Sequence, residues 1–193
     1  ISSLLLVALL LALPVRAQDE NTLRVGDVSA MMSTSVYIPV YLENSNPNVT
    51  AVQLDLTVPD GVTMETSASY LKTEATRVAD HRVRAIRQGS TQTYRYILLS
   101  PTNQPLRANR GIVFSVRANI SGTAPMVEGG SYPLTVSNVV LSDSLGRNVM
   151  SGYSGGTLTI SANPDFTVSN VQLTSGSTVS PEDEITLAWT VNN

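Results

Sequence analysis

Between Thr34 and Gly61 the chain reads TSVYIPVYLENSNPNVTAVQLDLTVPDG, and apolar residues fall on every second position in two runs. Val36, Ile38, Val40 and Leu42 share one face of the first run, and Val52, Leu54, Leu56 and Val58 share one face of the second. Period two marks half-buried β-strands, one face dry and one wet. Tyr37, Tyr41 and Glu43 then point away from the first apolar row, and Gln53, Asp55 and Thr57 away from the second. Strands of this kind pack sheet on sheet. Taken alone the stretch reads as one hairpin, although the six-residue link Asn44 to Val49 also allows its two strands to lie in opposite sheets.

The same grammar continues along the chain. Leu23 to Ser29 predicts a first strand with Gly26 as an irregularity. Pro59-Asp60-Gly61 is a turn signal. Thr63 to Asp80 lacks periodicity and reads as a loop with one helical turn near Tyr70 to Ala75. Strands are predicted at His81 to Arg87, Thr93 to Ser100, Gly111 to Ile120, Tyr132 to Ser142 and Gly156 to Ser161. In Gly111 to Ile120 the row Ile112, Phe114, Val116, Ala118 and Ile120 faces inward, with Ser115, Arg117 and Asn119 outward. The spacing predicts an all-β protein, an immunoglobulin-like or jelly-roll β-sandwich of about nine strands.

Two departures from this pattern divide the chain. Leu4 to Leu13 is an unbroken apolar run followed by Pro14-Val15-Arg16-Ala17 and the polar Gln18-Asp19-Glu20. About ten apolar residues are too few to span a bilayer but match a secretory signal peptide. Residues 1–17 are therefore expected to be a leader cleaved after Ala17. Because the chain opens on Ile1, the leader's charged start is expected to precede it. No membrane span is expected in the remaining fragment. At Ala162-Asn163-Pro164 the pattern restarts. Asp165 to Asn193 reads as a strand, a turn around Ser175-Gly176-Ser177, and a strand carrying Ile185, Leu187, Trp189 and Val191. Two strands cannot bury a core, so residues 162–193 are expected to be the truncated start of a second β domain, continuing beyond Asn193. Residues 18–161 form the expected sandwich.

Charge and composition narrow the chemistry. The 193 residues carry a formal net charge of -3, no cysteine, one histidine (His81) and one lysine (Lys72). Near-neutral charge argues against a nucleic-acid partner, which needs a basic stripe. Export without cysteine fits a bacterial protein held by its core alone, and it excludes a lipid-anchored start, which requires a cysteine. With no cysteine and one histidine there is no thiolate nucleophile and no His-based metal cluster. His81 lies in the alternating HRVRAIR, where a strand-surface or loop position is expected and a serine-base pair is not. Carboxylates such as Asp55, Asp60, Glu65, Asp80 and Asp143 show no pairing that would suggest glycoside chemistry. Asp143 to Asn148 lacks the alternating oxygen ligands of a calcium loop and reads as a hairpin turn. The expectation is no catalytic residue, no metal and no cofactor. The sequons at Asn48 and Asn119 are assigned no role.

Two outward faces remain as candidates. Tyr37 and Tyr41 could form a carbohydrate-stacking platform, or pack beneath a loop or neighbouring domain. Arg82, Arg84 and Arg95 are polar anchors of the kind found at interfaces, although a solvated sheet face explains them as well.

The run VGDVSA, TSVYIPVYLEN, VTAVQLDLTVPDGV, RGIVFSVRANI, YPLTVSNVVLSDSLGRNV, GGTLTI, over roughly Thr22 to Ser161, resembles a cohesin-type module. The segment from His81 to Gly111 is similar to variants found in secreted multidomain bacterial proteins. The resemblance implies that the strands bearing Arg82, Arg84 and Arg95 lie in one sheet with Val49 to Val58, beside Gln53, Asp55 and Thr57. It implies further that the outer face of that sheet receives a protein partner, and the family order together with the link Asn44 to Val49 implies that the two strands of Thr34 to Gly61 lie in opposite sheets with their apolar rows facing across the core. DFTVSNVQLTSGSTVSPEDEITLAWTVNN resembles the first strands of CARDB-like and related immunoglobulin-like adhesion modules, with Glu182 where that pattern has glycine. The function expected from all of this is a secreted, non-catalytic binding module of a bacterial surface protein, recognising a protein partner or polysaccharide. The alternatives are a structural spacer or adhesin module, or an accessory domain of a polysaccharide-degrading enzyme whose catalytic part lies beyond residue 193.

Overall fold

The computed structural model of the chain describes residues 21–45, 48–162, 167–173 and 187–192. The expected leader and the turn at Ser175 to Ser177 lie outside them. The strands are β1 (Asn21–Val25), β2 (Val28–Ala30), β3 (Ser35–Asn44), β4 (Ala51–Thr57), β5 (Val62–Met64), β6 (Leu71–Thr73), β7 (Arg82–Arg87), β8 (Thr93–Leu99), β9 (Asn109–Ile120), β10 (Ser131–Ser142), β11 (Gly152–Ser154), β12 (Gly156–Ile160), β13 (Thr167–Leu173) and β14 (Leu187–Asn192). The first twelve form two six-stranded sheets. One has the order β11-β1-β3-β9-β5, with β6 also paired to β9, and the other β2-β12-β10-β4-β8-β7. β13 and β14 pair antiparallel as a separate two-stranded sheet.

β3 and β4 fall in opposite sheets, as the family order and the link between them imply, and do not form one hairpin. Ile38, Val40 and Leu42 from one, and Val52, Leu54 and Leu56 from the other, are fully buried. The two sheets meet in the core at Tyr96 of β8 and Phe114 of β9, whose ring centroids lie 6.3 Å apart. Most of the strand predictions hold to within two residues, and four expectations need correction.

The segment Leu23 to Ser29 is two strands. β1 pairs with β3, and β2 with β12 in the other sheet. The chain crosses between sheets at Gly26, where a Cβ would come within 2.7 Å of Pro39 and 2.8 Å of Tyr41. The stretch Thr63 to Asp80, read as a loop, contributes β5 and β6, which add to β9, and its single helical turn is a 3₁₀ turn at Ala68–Tyr70. These strands are three residues each, too short for alternation to be visible. β11 was likewise absent from the pattern. In β9 the inward row begins at Phe114, because the β3–β9 register shifts between Val40 and Tyr41. Tyr41 faces Ile112, and the extra residue Val113 is the buried one. A bulge reverses the parity that an alternation argument carries along a strand.

The fourth concerns the burial of His81 alone, since the loop position expected for it holds. His81 sits in the connection into β7, and it is buried, 5% exposed. Its neighbour in the same connection, Arg77, is also buried and anchors the segment. Arg77 donates from Nε to the carbonyl of Arg107 at 3.2 Å, from Nη1 to the carbonyls of Leu42 and Gly111 at 3.2 and 3.1 Å, and from Nη2 to Asn44 Oδ1 at 2.6 Å. One guanidinium thus ties β3, β9 and the connection before β9 to the strand β7 that follows it.

Candidate interaction face

On the outer side of β7-β8-β4-β10 the registers align three cross-strand rows. Ile86, Arg95, Asp55 and Ser137 form one, Arg84, Ile97 and Gln53 a second, and Arg82, Leu99 and Ala51 a third. Thr57 and Thr93 stand opposite each other at one end and share a hydroxyl–hydroxyl hydrogen bond of 2.8 Å. The structure therefore brings Gln53, Asp55, Thr57, Arg82, Arg84 and Arg95 together on one face.

Asp55 and Arg95 are opposite in register, so their side chains meet across the sheet. Arg95 donates from Nε to Asp55 Oδ1 at 2.7 Å and from Nη2 to Oδ2 at 2.8 Å, a bidentate pair. A bulge in β10, where the register shifts between Ser137 and Val140, places Asn138 at φ 50°. Asn138 Nδ2 then donates to Asp55 Oδ2 at 2.8 Å, and Gln53 Nε2 donates to the Asn138 carbonyl at 3.3 Å. Roofed in this way, Asp55 is only 3% exposed although it lies on the outward side. The Arg95 hydrogen bonds hold its carboxyl below the usual carboxylate range, against the opposing effect of burial. Arg95 is accordingly committed to the sheet, and its fork is not a free anchor. Arg82 and Arg84 are exposed and carry no hydrogen bond or ion pair among the described residues.

Between the arginines lies an apolar strip that the sequence reading missed. Ile86 is 60% and Leu99 37% exposed, with Ile97 half-buried beside them. The signal was available. Once Arg95 is assigned outward, period two forces Ile97 and Leu99 outward as well. The inward parity of β8 is filled by Tyr94, Tyr96 and Leu98, all buried. Neither tyrosine hydroxyl has a hydrogen-bond partner among the described residues, and burial raises the Tyr96 phenol above its ordinary range.

Tyr37 and Tyr41 lie on the outer face of the other sheet, so the two candidate faces are separate. Their rings are covered by cations. Lys72 Nζ sits 3.8 Å from the Tyr37 ring centroid and the Arg24 guanidinium 4.3 Å from that of Tyr41. A stacking platform needs open ring faces, and these are occupied. The cover comes from strands β1 and β6 of the same sheet, and neither a loop nor a neighbouring domain provides it.

Among the described residues no serine hydroxyl is hydrogen-bonded to His81. Ser100 donates its hydroxyl to Asp80 Oδ1 at 2.5 Å, and Thr102 donates to Oδ2 at 2.6 Å, which lowers the Asp80 pKa. His81 Nδ1 accepts from the Ala79 N–H at 3.3 Å, and burial lowers its pKa despite the adjacent Asp80. Asp143 is consumed by its own turn. Its Oδ1 accepts the N–H groups of Leu145 and Arg147, each at 2.9 Å, and its Oδ2 accepts Arg147 Nε at 2.7 Å. Among the described residues no three His, Cys, Asp or Glu side chains group as metal ligands, and no helix is long and apolar enough to cross a membrane.

No family model matches the chain, and no curated protein matches it by sequence. Solved structures do match in shape. A non-cellulosomal cohesin from the hyperthermophilic archaeon Archaeoglobus fulgidus superposes with a TM-score of 0.58 at 17% identity, over 76% of this chain and 94% of that one. A type I cohesin–dockerin complex from Clostridium thermocellum gives 0.61 at 14% identity, over 74% and 99%. The sixth cohesin of scaffoldin B from Acetivibrio cellulolyticus, in complex with a dockerin, gives 0.59 at 14% identity, over 73% and 99%. The fold is a cohesin-type β-sandwich.

Proposed function

We propose that this cohesin-type sandwich is a non-catalytic module that binds a protein partner through the outer face of β7-β8-β4-β10. The observation that carries the reading is the exposed apolar strip Ile86, Ile97 and Leu99, bordered by the partner-free Arg82 and Arg84. An apolar centre with an arginine rim is the usual anatomy of a protein interface. The Asp55–Arg95–Asn138 cluster gives that face rigidity, so little side-chain freedom is lost on binding. Two of the similar structures are cohesin–dockerin complexes, which supports a dockerin-type partner. The covered rings of Tyr37 and Tyr41 favour a protein over a polysaccharide. The sandwich is read as residues 18–161 of an exported, surface-located bacterial protein. Residues 1–17 are read as its leader and residues 162–193 as part of an immunoglobulin-like unit.

The test is surface plasmon resonance of the immobilised chain against a panel of dockerin modules, with sedimentation against insoluble polysaccharides alongside. The expected result is dockerin binding that the double variant Arg84→Ser, Ile86→Asp weakens at least tenfold. Binding to polysaccharide alone, or dockerin binding indifferent to that variant, overturns the reading. Arg95 is left in place because its exchange would also release Asp55.

A further inference from the structure

β7 is the last strand of its sheet, and at six residues it is the longest edge strand of the sandwich; the other edges, β2, β5, β6 and β11, have three each. Its pairing with β8 is antiparallel, and Gln88 N–H donates to the Thr93 carbonyl at 2.8 Å. That bond fixes the phase of the ladder. Residues alternate between exchanging hydrogen bonds with the neighbour and pointing them away, so Arg82, Arg84 and Ile86 bond to β8. Val83, Ala85 and Arg87 direct their N–H and C=O groups to the open side, where they meet no backbone partner among the described residues. Unpaired edge groups are a template for another strand.

The open side is also walled. A groove of about 850 Å³ runs along β7, closed opposite by Thr66, Ala68, Leu71 and Thr73, and no carboxylate lines it. The stretch from His81 to Ser100 contains four arginines and no acidic residue. Arg87 is held by the hairpin, donating to the Thr91 carbonyl at 2.7 Å and to Gln92 Oε1 at 3.0 Å, whereas Arg82 and Arg84 are unengaged. A strand added here would alternate. Its residues on the outer side would stand beside Arg82, Arg84 and Ile86, and those on the inner side against Val83, Ala85 and Leu71.

We propose that the free edge of β7 accepts an extended acidic segment of a protein partner as an additional antiparallel or parallel strand, alternating acidic residues beside Arg82 and Arg84 with apolar residues turned into the groove. This deepens the face reading, since the edge and the face meet along β7, and it rests on that reading only for the partner being a protein. Backbone pairing supplies the affinity and the alternating side chains the specificity. Six residues at about 3.3 Å each span roughly 20 Å, the length of β7.

The probe is a capped hexapeptide of alternating glutamate and valine, titrated into the isotopically labelled chain and followed by amide NMR. Two comparison peptides are the lysine–valine analogue and a glutamate–valine analogue N-methylated at every residue, which keeps the charges and removes all of the donors. The expected result is hydrogen exchange at Val83, Ala85 and Arg87 slowed at least tenfold by the glutamate peptide. Affinity should fall at least tenfold for either analogue. Ala85→Pro should abolish binding, because it deletes an N–H that β8 does not use and proline is tolerated at a sheet edge. Unchanged β4 and β10 amides would show that this variant is folded, and the N-methyl comparison uses the unaltered chain in any case. Equal affinity for the N-methylated peptide overturns the proposal and leaves the face reading standing. Absence of binding by any peptide also overturns it, and the arginines then serve only to keep the edge from self-association. Failure of the face reading appears separately, as dockerin binding indifferent to Arg84→Ser, Ile86→Asp.

Discussion

Exchanging Arg77 tests whether one buried cation positions the entry to the interaction face. It is 3% exposed and donates to four oxygens, three of them carbonyls and none a carboxylate. Burial pulls its pKa below the ordinary guanidinium value, yet a guanidinium remains charged at neutral pH. Hydrogen bonds from a charged donor contribute about 1.5–3 kcal/mol each, but a simple sum overstates the loss, because Arg107 and Gly111 lie near enough to solvent for water to replace the donor. Asn44 and Leu42 are buried, and losing the two charge-assisted bonds there costs about 1.5–3 kcal/mol each. Arg77→Met, which keeps the apolar stem, should therefore destabilise the sandwich by about 3–5 kcal/mol. For about 140 folded residues the unfolding entropy is roughly 0.3 kcal/mol/K, so Tm should drop by about 10–15 °C. Arg77→Lys can satisfy only part of the set from a single nitrogen and should lose about half as much. Differential scanning calorimetry of the three proteins measures both. A fall of less than about 3 °C for Arg77→Met refutes the clamp, and equal losses for Met and Lys refute the role of the planar fork.

Three further outcomes follow from groups already described. The folded-state pKa of Asp55 lies below its unfolded value, so its contribution is complete above about pH 4 and is lost as pH falls through the lowered value. Asp55→Asn should flatten that acid limb in pH-dependent thermal unfolding, and an unchanged limb would show that the Arg95 pair is not its source. His81 is held neutral by burial, so its stabilising effect is present above about pH 6.5 and declines as pH falls from 7 toward 5; His81→Gln should remove that slope, and a slope retained in full would contradict the assignment. The Tyr96 hydroxyl is buried without a partner, so Tyr96→Phe should be neutral or stabilising by about 1 kcal/mol in denaturant titration, and a loss above that amount would reveal a hydrogen bond.

The parts of this fold legible in the sequence are those that repeat without interruption. Ile38, Val40 and Leu42, and Val52, Leu54 and Leu56, announced two strands with one buried face each, because only a packed core rewards that alternation; that the strands lie in facing sheets came from the link between them and the family order. What stayed hidden arises where the chain breaks period. Gly26 moves β1 and β2 into different sheets, Val113 reverses the parity of β9, and Asn138 is turned over Asp55 by a bulge. The burial of Asp55 could not be read locally, since the Asn138 amide that covers it lies 83 residues away. Arg77 belonged to a segment without any pattern, so its clamp is purely tertiary. The arginines were found, but a list of arginines does not distinguish Arg95, which is spent on the sheet, from Arg82 and Arg84, which are not. That difference follows from register alone: Arg95 faces a carboxylate across the strand gap, whereas Arg82 and Arg84 face leucine and isoleucine.

The size of the face constrains how a partner must bind. Four strands about 4.8 Å apart span roughly 15 Å, and six or seven residues at about 3.3 Å give roughly 20 Å of length. The flat face therefore offers about 300 Å², well below the roughly 800 Å² per partner of a standard stable interface. Its centre is already closed by the Asp55–Arg95–Asn138 cluster, so the energy available there is concentrated at the β7 side, where Ile86, Leu99, Arg82 and Arg84 lie together. A partner confined to the flat surface would be weak. On the proposed reading, one that extends across β7 into the groove along its edge adds backbone hydrogen bonds and a second apolar wall. That reading makes β7, more than the sheet as a whole, the element on which affinity turns.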